Sequence, residues 1–216
     1  QLKSEVSNES QLSCIYNGID TNQYQRKLMK DPDFFDHHFI ITIIANLFAY
    51  KGHLDLLKAL ALIQHQLPKN WLLLCVGRDA GELASLKKYV DQHGLSDHVQ
   101  WLGERNDIVD ILSLSSIGVL CSHEEGFSNS ILEGMSCKVP MVVTDVGGNA
   151  EAVVDGETGY VVPSKDPRSL ASAILNLANN DLLRSSMAKA SEERVKQYFS
   201  LQQCVSAYEK CYEDLF

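Results

Sequence analysis

Two carboxylates, Glu125 and Glu133, stand eight positions apart and flank the turn Gly126-Phe127-Ser128-Asn129. The turn opens a segment with helical patterning. A helix start leaves backbone N–H groups without partners and carries partial positive charge, and phosphate groups bind at such places. Carboxylates beside it accept hydrogen bonds from hydroxyls. The combination suits a ligand that carries both phosphate and sugar hydroxyls, as a nucleotide sugar does. Each part also has a plainer reading. Ser128 is placed to cap the helix, and Ser130 with Glu133 matches a capping box. A two-carboxylate glycosidase is a rival reading, but it needs a raised pKa on one acid and a water, and the sequence shows neither.

Other residues stand where strands give way to loops. Lys51-Gly52 follows an apolar run and the short loop Phe48-Ala49-Tyr50. A lysine at a helix start is slightly unfavourable, and a bound anion would remove that penalty; a solvated surface lysine is the plainer account. Gly147-Gly148-Asn149-Ala150-Glu151 follows Asp145, and paired glycines either let backbone approach something closely or make a turn. Asp155-Gly156-Glu157-Thr158-Gly159 reads as a hairpin-type turn. No GxGxxG, GxxxxGK[ST] or GxSxG motif is present. The seven histidines have no metal-ligand spacing and read as surface or loop residues. The six cysteines form no CxxC pair. Cys75 and Cys121 lie inside apolar runs, and the set reads as reduced core thiols of a cytoplasmic protein.

Positioning these residues falls to alternating elements. Residues 39–47, 71–77, 99–103, 117–121 and 139–144 are nearly continuous apolar runs, the mark of strands buried on both faces of a parallel sheet. A short strand is expected at 160–162 and another at 12–16, ending at Asn17-Gly18. Helical spacing covers 53–66, 81–93, 107–114, 129–137, 168–179, 182–198 and 201–212. Alternation over most of the chain predicts an α/β fold, a single Rossmann-like open parallel sheet with helices on both faces. Ligands of such sheets bind at the carboxyl ends of the strands, where Asn46, Gly77, Gly103, Glu125 and Asp145 fall.

The totals fit that picture. The 216 residues can bury a core without disulfides or metal. The balance of 19 basic and 28 acidic residues, net −9, with no basic stripe, argues against nucleic acid as a partner. No apolar stretch has the length of a membrane span. The polar start, without Met, predicts a processed protein or a fragment.

An ordered set of motifs resembles the C-terminal, donor-binding domain of GT-B glycosyltransferases, the large retaining family four. It comprises Asn17-Gly18-Ile19-Asp20, Lys51-Gly52-His53, Leu74-Cys75-Val76-Gly77, Trp101-Leu102-Gly103, Glu125 to Asn129 with Leu132-Glu133-Gly134-Met135, Val146 to Glu151, and Gly156 to Pro163. The resemblance implies roles. Glu125 would hold donor-sugar hydroxyls and Glu133 the nucleotide ribose. Backbone N–H groups of Gly126, Phe127, Ser128 and Asn129 would hold the diphosphate. Lys51 would neutralise charge on the departing diphosphate and, with Glu125, form the catalytic pair. Gly103, Glu104 and Arg105 would wall the base pocket. The chain departs from the family at Asn46, where an arginine usually joins the lysine; Arg78 is the candidate to compensate.

The resemblance further implies transfer from a UDP- or GDP-linked sugar with retention, in polysaccharide or glycoconjugate synthesis, with no metal and no cofactor. Residues 1–20 would be the tail of a missing N-terminal acceptor domain and a linker, 21–199 the donor domain, and 200–216 a helix against the missing domain. Location would be cytoplasmic, with peripheral attachment to the inner membrane face through the missing half. Such a chain alone should bind donor without turning it over. The rival readings are a non-catalytic nucleotide-sugar module, a sugar-nucleotide epimerase of the same fold, and a plain structural domain.

Overall fold

The computed structural model of the protein describes residues 13–27 and 38–213. Six strands form one parallel sheet: β1 (Phe39–Ile44), β2 (Trp71–Val76), β3 (Val99–Gly103), β4 (Ile117–Leu120), β5 (Met141–Thr144) and β6 (Gly159–Val162). Their order is β3-β2-β1-β4-β5-β6. Register runs Ile41↔Leu73, Ile41↔Ile117, Val119↔Val142 and Val142↔Tyr160. The order reverses between β1 and β4, which opens a crevice above their carboxyl ends.

Helices cover both faces. α1 (His53–Ile63) packs against α2 (Leu83–Gln92) and α6 (Pro167–Ala178). α4 (Asn129–Ser136) packs against α5 (Asn149–Ala152) and α7 (Asp181–Tyr198). α3 (Ile108–Leu114) follows β3, and α8 (Leu201–Glu213) follows α7. Alternating β1 side chains enter different cores. Ile41 and Ile43 join the α1 side, while Ile40 packs with Leu74, Val76 and Ile111. All three are fully buried, each contributing about 1.5–3 kcal/mol by removal from water. This double burial is why the strand runs carry no polar alternation.

Three expectations change. Among the described residues of 12–16, numbers 13–16 form no strand, and Leu12 lies outside the described residues; pairing begins at Ile19, which bridges Ser200. α2 starts at Leu83 rather than 81, because the Asp79 carboxylate takes the N–H groups of Gly81 (2.8 Å) and Leu83 (3.1 Å). Residues 155–159 turn, but they lead into β6, which runs parallel to β5, so no hairpin is made.

Candidate functional site

Lys51 reaches the crevice through a short chain of contacts. Ala49–Lys51 makes a 3-10 turn that ends at Gly52 with φ 73°. A Cβ at Gly52 would lie 2.0 Å from the Cys121 carbonyl oxygen, so glycine lets this loop press on the end of β4. The Cys121 thiol donates to the Gly52 carbonyl (3.2 Å) and the His123 N–H to the Tyr50 carbonyl (2.6 Å). His123 Nε2 also sits 2.7 Å from Asp55 Oδ2. Two loops distant in sequence are thereby fixed together. Lys51 Nζ lies 2.6 Å from Glu125 Oε1, which also accepts from Ser122 Oγ at 2.6 Å. The pair is largely shielded, at 18% and 10% side-chain exposure. Lys51 is not a solvated surface lysine.

The paired glycines approach the turn itself. Gly147 has φ 54°, and a Cβ there would lie 2.0 Å from the Glu125 carbonyl oxygen. A Cβ at Gly148 would lie 2.6 Å from the Phe127 ring, and the Gly148 N–H donates to the Gly126 carbonyl at 2.7 Å. Phe127 is held from its other side by Tyr16 and Phe199, with ring centroids 5.3 and 5.5 Å away. Asn17 donates to the Asn129 side chain at 3.2 Å. Glu151 beside the Tyr16 hydroxyl, with burial, raises its pKa to about 12.

The expected helix cap is not made. Ser128 is the N-cap of α4 but gives no side-chain bond to the helix amides. Its hydroxyl pairs with Ser130 Oγ at 3.0 Å. Ser130 lies inside the first turn of α4 rather than at its N-cap, so no capping box closes. The amides of Gly126, Phe127, Ser128 and Asn129 donate to no group among the described residues. Gly126 and Asn129 are exposed, and a Cβ at Gly126 would meet nothing within 4 Å. The helix start is open, positive and unsatisfied.

Glu133 sits one turn into α4, half-buried. Burial raises its pKa, and the nearby Tyr24 hydroxyl opposes that. Tyr24's own pKa is raised to about 12 by burial and by Glu133. Its carbonyl accepts from Ser136 Oγ at 2.7 Å, which ties Tyr24 to α4.

Along the sheet edge, Gly103 has φ 67° and its carbonyl accepts from the Gly77 N–H at 2.8 Å. Arg105 is exposed and clasps Asp107 through two bonds of 2.7 and 2.5 Å. Asn46 uses its amide oxygen to accept the Arg78 N–H at 2.9 Å. The structure therefore brings Lys51, Glu125 and the 126–129 turn together, while the side chains of Asn46 and Arg105 make local bonds.

The histidines depart from expectation. His53, the first residue of α1, is 4% exposed, and neither ring nitrogen has a hydrogen-bond partner. Burial lowers its pKa to about 4; the Ala45 carbonyl is near enough to oppose this, without a bond of good geometry. His98 stacks on Trp71 at 4.4 Å. Among the cysteines, Cys75, Cys121 and Cys137 are buried and free, whereas Cys14 is exposed and Cys204 and Cys211 are half-buried. Among the described residues no His, Cys, Asp and Glu group has metal-binding geometry.

Sequence reading missed Ser122, Tyr16 and Tyr24. Ser122 was findable, three residues before Glu125 on the same strand exit. The tyrosines lie more than a hundred positions from their partners, and only the fold reveals them.

The profile described as Glycosyl transferases group 1 matches residues 25–194. The chain belongs to that family. The N-acetyl-alpha-D-glucosaminyl L-malate synthase of Bacillus anthracis is 29% identical over 214 residues, covering 97% of this chain and 55% of that protein. A glycosyltransferase structure from Rickettsia africae ESF-5 matches with TM-score 0.87 at 23% identity, over 96% of this chain and 58% of the other, and shows the fold alone. Anabaena HepE, solved in complex with UDP, matches with TM-score 0.83 at 26% identity, over 93% and 56%. The chain thus spans about half the length of these relatives. Its sheet and helices are those of a Rossmann-like half of the GT-B type.

Proposed function

We propose that this chain is the donor-binding part of a glycosyltransferase that moves a hexosyl group from a nucleotide diphosphate sugar to an acceptor hydroxyl. The observation that carries the reading is the meeting of an uncapped helix start with the Lys51–Glu125 pair at the reversal of strand order. The UDP bound by Anabaena HepE supports a uridine nucleotide, with GDP the alternative.

In this mechanism the α4 amides and Lys51 hold the diphosphate. Negative charge builds on it as the sugar C1–O bond breaks. Fixed donors and a cation stabilise that charge without reorganising. Binding moves Lys51 from Glu125 to the phosphate and frees the carboxylate for sugar hydroxyls. Glu125 orients the sugar, the incoming hydroxyl attacks from the leaving-group face, and configuration is retained. Glu133 accepts from the ribose and Gly103 with Arg105 walls the base. Neither a metal nor a cofactor is assigned a role.

Residues 1–20 are proposed as the tail of an N-terminal acceptor domain and a linker, 21–199 as the donor unit, and 200–216 as a helix against that domain. The support is α8. It buries none of its residues, and Leu201, Val205, Tyr208 and Tyr212 line one side of it, each about half-exposed or more. By itself the chain is expected to bind donor without transferring sugar. A polysaccharide or glycoconjugate pathway, and a cytoplasmic site at the inner membrane face, complete the proposal. Free thiols support the compartment. No helix among the described residues is long and apolar enough to cross a membrane.

A second reading, a non-catalytic nucleotide-sugar module, is favoured by one observation: Asn46 is neutral and its oxygen is occupied by the Arg78 N–H. A thermal-shift panel of UDP, GDP, ADP and their sugars, followed by turnover of the full-length protein, separates the two. Stabilisation by one base family with sugar transfer supports the enzyme; stabilisation without transfer supports the module. An undisturbed melting temperature throughout rejects both.

A further inference from the structure

We infer that Arg78 is a phosphate-gripping cation of this site and that Asn46 is the positioning residue that holds it there. The inference rests on the proposed binding of a nucleoside diphosphate at this sheet edge.

Backbone pairing continues past the ends of the strands, through Arg78, to a parallel bridge between Leu47 and Asp79. The Ala45 N–H donates to the Val76 carbonyl (2.9 Å), Leu47 N–H to the Arg78 carbonyl (2.9 Å), and Gly77 N–H to the Gly103 carbonyl (2.8 Å). The Arg78 N–H donates to Asn46 Oδ1 at 2.9 Å. Both backbone polar groups of Arg78 are therefore held by the loop that leads to Lys51. Gly77 permits this closeness: its φ is 150°, and a Cβ there would lie 2.1 Å from the Ala45 carbonyl oxygen.

The charges at this edge single out the same residue. Lys51 is bound to Glu125 and Arg105 to Asp107. Arg78 is exposed and has no acidic partner among the described residues. The adjacent Asp79 does not pair with it, because its carboxylate holds the amides of Gly81 and Leu83. In a chain of net charge −9, an unpaired guanidinium on a backbone fixed at four points is preorganised for an anion.

Placement agrees. β2 lies between β1, which leads to Lys51, and β3, which ends at Gly103. A nucleotide reaching from the α4 turn to the loop after β3 passes the end of β2. Arg78 then meets the diphosphate, and Asn46 acts through Arg78 rather than on the ligand.

The test is isothermal titration of the protein with UDP and GDP, and with UMP and GMP, at fixed ionic strength. Arg78→Gln is expected to weaken the tighter diphosphate roughly tenfold or more, the magnitude of one charged hydrogen bond, while the matching monophosphate changes much less. Asn46→Ala should weaken the diphosphate alone but add nothing in the Arg78→Gln background. Asn46→Arg should restore binding in that background by returning a guanidinium to the same edge. An Arg78→Gln protein that melts as the wild type does and keeps its full preference for diphosphate overturns the inference, and leaves the donor site standing. Arg78→Met is read by the same criterion should the glutamine variant fail to fold. A wild type that binds none of the four nucleotides removes the donor site and this inference together.

Discussion

Lys51→Met tests the core of the site. Lys51 Nζ and Glu125 Oε1 are 2.6 Å apart and mostly shielded from water. At an effective dielectric of about 20, their attraction is about 6 kcal/mol. Desolvating each ion costs several kcal/mol, so the net coupling is smaller. The residual exposure and the Ser122 hydroxyl, which still holds Glu125 at 2.6 Å, reduce it further. A coupling of about 1–2 kcal/mol is expected, between the values for exposed and fully buried pairs. Lys51→Met should lower stability by about 2 kcal/mol, which at this size is about 4–8 °C in melting temperature. Glu125→Gln should act similarly, and the double variant should lose less than the sum. Turnover should respond far more, because a cation at a developing diphosphate charge contributes about 2.7–4 kcal/mol of barrier, roughly a hundred- to thousandfold in rate. The assays are thermal unfolding of the four-protein cycle and sugar transfer by the full-length enzyme. Additive melting shifts with unchanged turnover would refute both the pairing and the role.

Three further outcomes are expected. Gly147→Ala places a Cβ 2.0 Å from the Glu125 carbonyl oxygen at a left-handed φ; it should destabilise by about 2 kcal/mol or more and lose nucleotide binding, checked by melting and calorimetry. His53 has its pKa lowered to about 4 by burial, against about 6.5 when unfolded. The unfolded chain therefore binds the proton first, and His53 should withdraw up to about 3 kcal/mol of stability as pH falls from about 6.5 to about 4; His53→Leu should flatten that part of the denaturation-against-pH curve. Tyr24→Phe removes the hydroxyl that holds down the pKa of Glu133, so nucleotide affinity should fall away at a higher pH than in the wild type, read by titration calorimetry across pH.

Legibility followed the range of the forces involved. Strands such as FIITII and WLLLCV were plain in sequence because burial on both faces demands unbroken apolar runs. α5 was missed because four residues give no periodicity to read. The Ser130–Glu133 capping box matched its pattern yet failed, because α4 begins at Asn129 with Ser128 as its N-cap, which puts Ser130 inside the first turn. His53 opens the helix expected over 53–66, but a single residue carries no sign of whether that helix start lies inside the core. The glycine pair at 147 and 148 announced a close approach without naming its partner, which proved to be the Glu125–Gly126 backbone and the Phe127 ring. What sequence withheld were contacts between loops brought together only by the strand order.

The central claim is that main-chain amides at the start of α4 hold the diphosphate. Amide NMR of the labelled protein, titrated with UDP and with GDP, tests it residue by residue. The account predicts the largest shifts at Gly126, Phe127, Ser128 and Asn129, with smaller ones at Gly52 and Gly103. Saturable binding whose shifts cluster elsewhere, with those four amides unmoved, would contradict it.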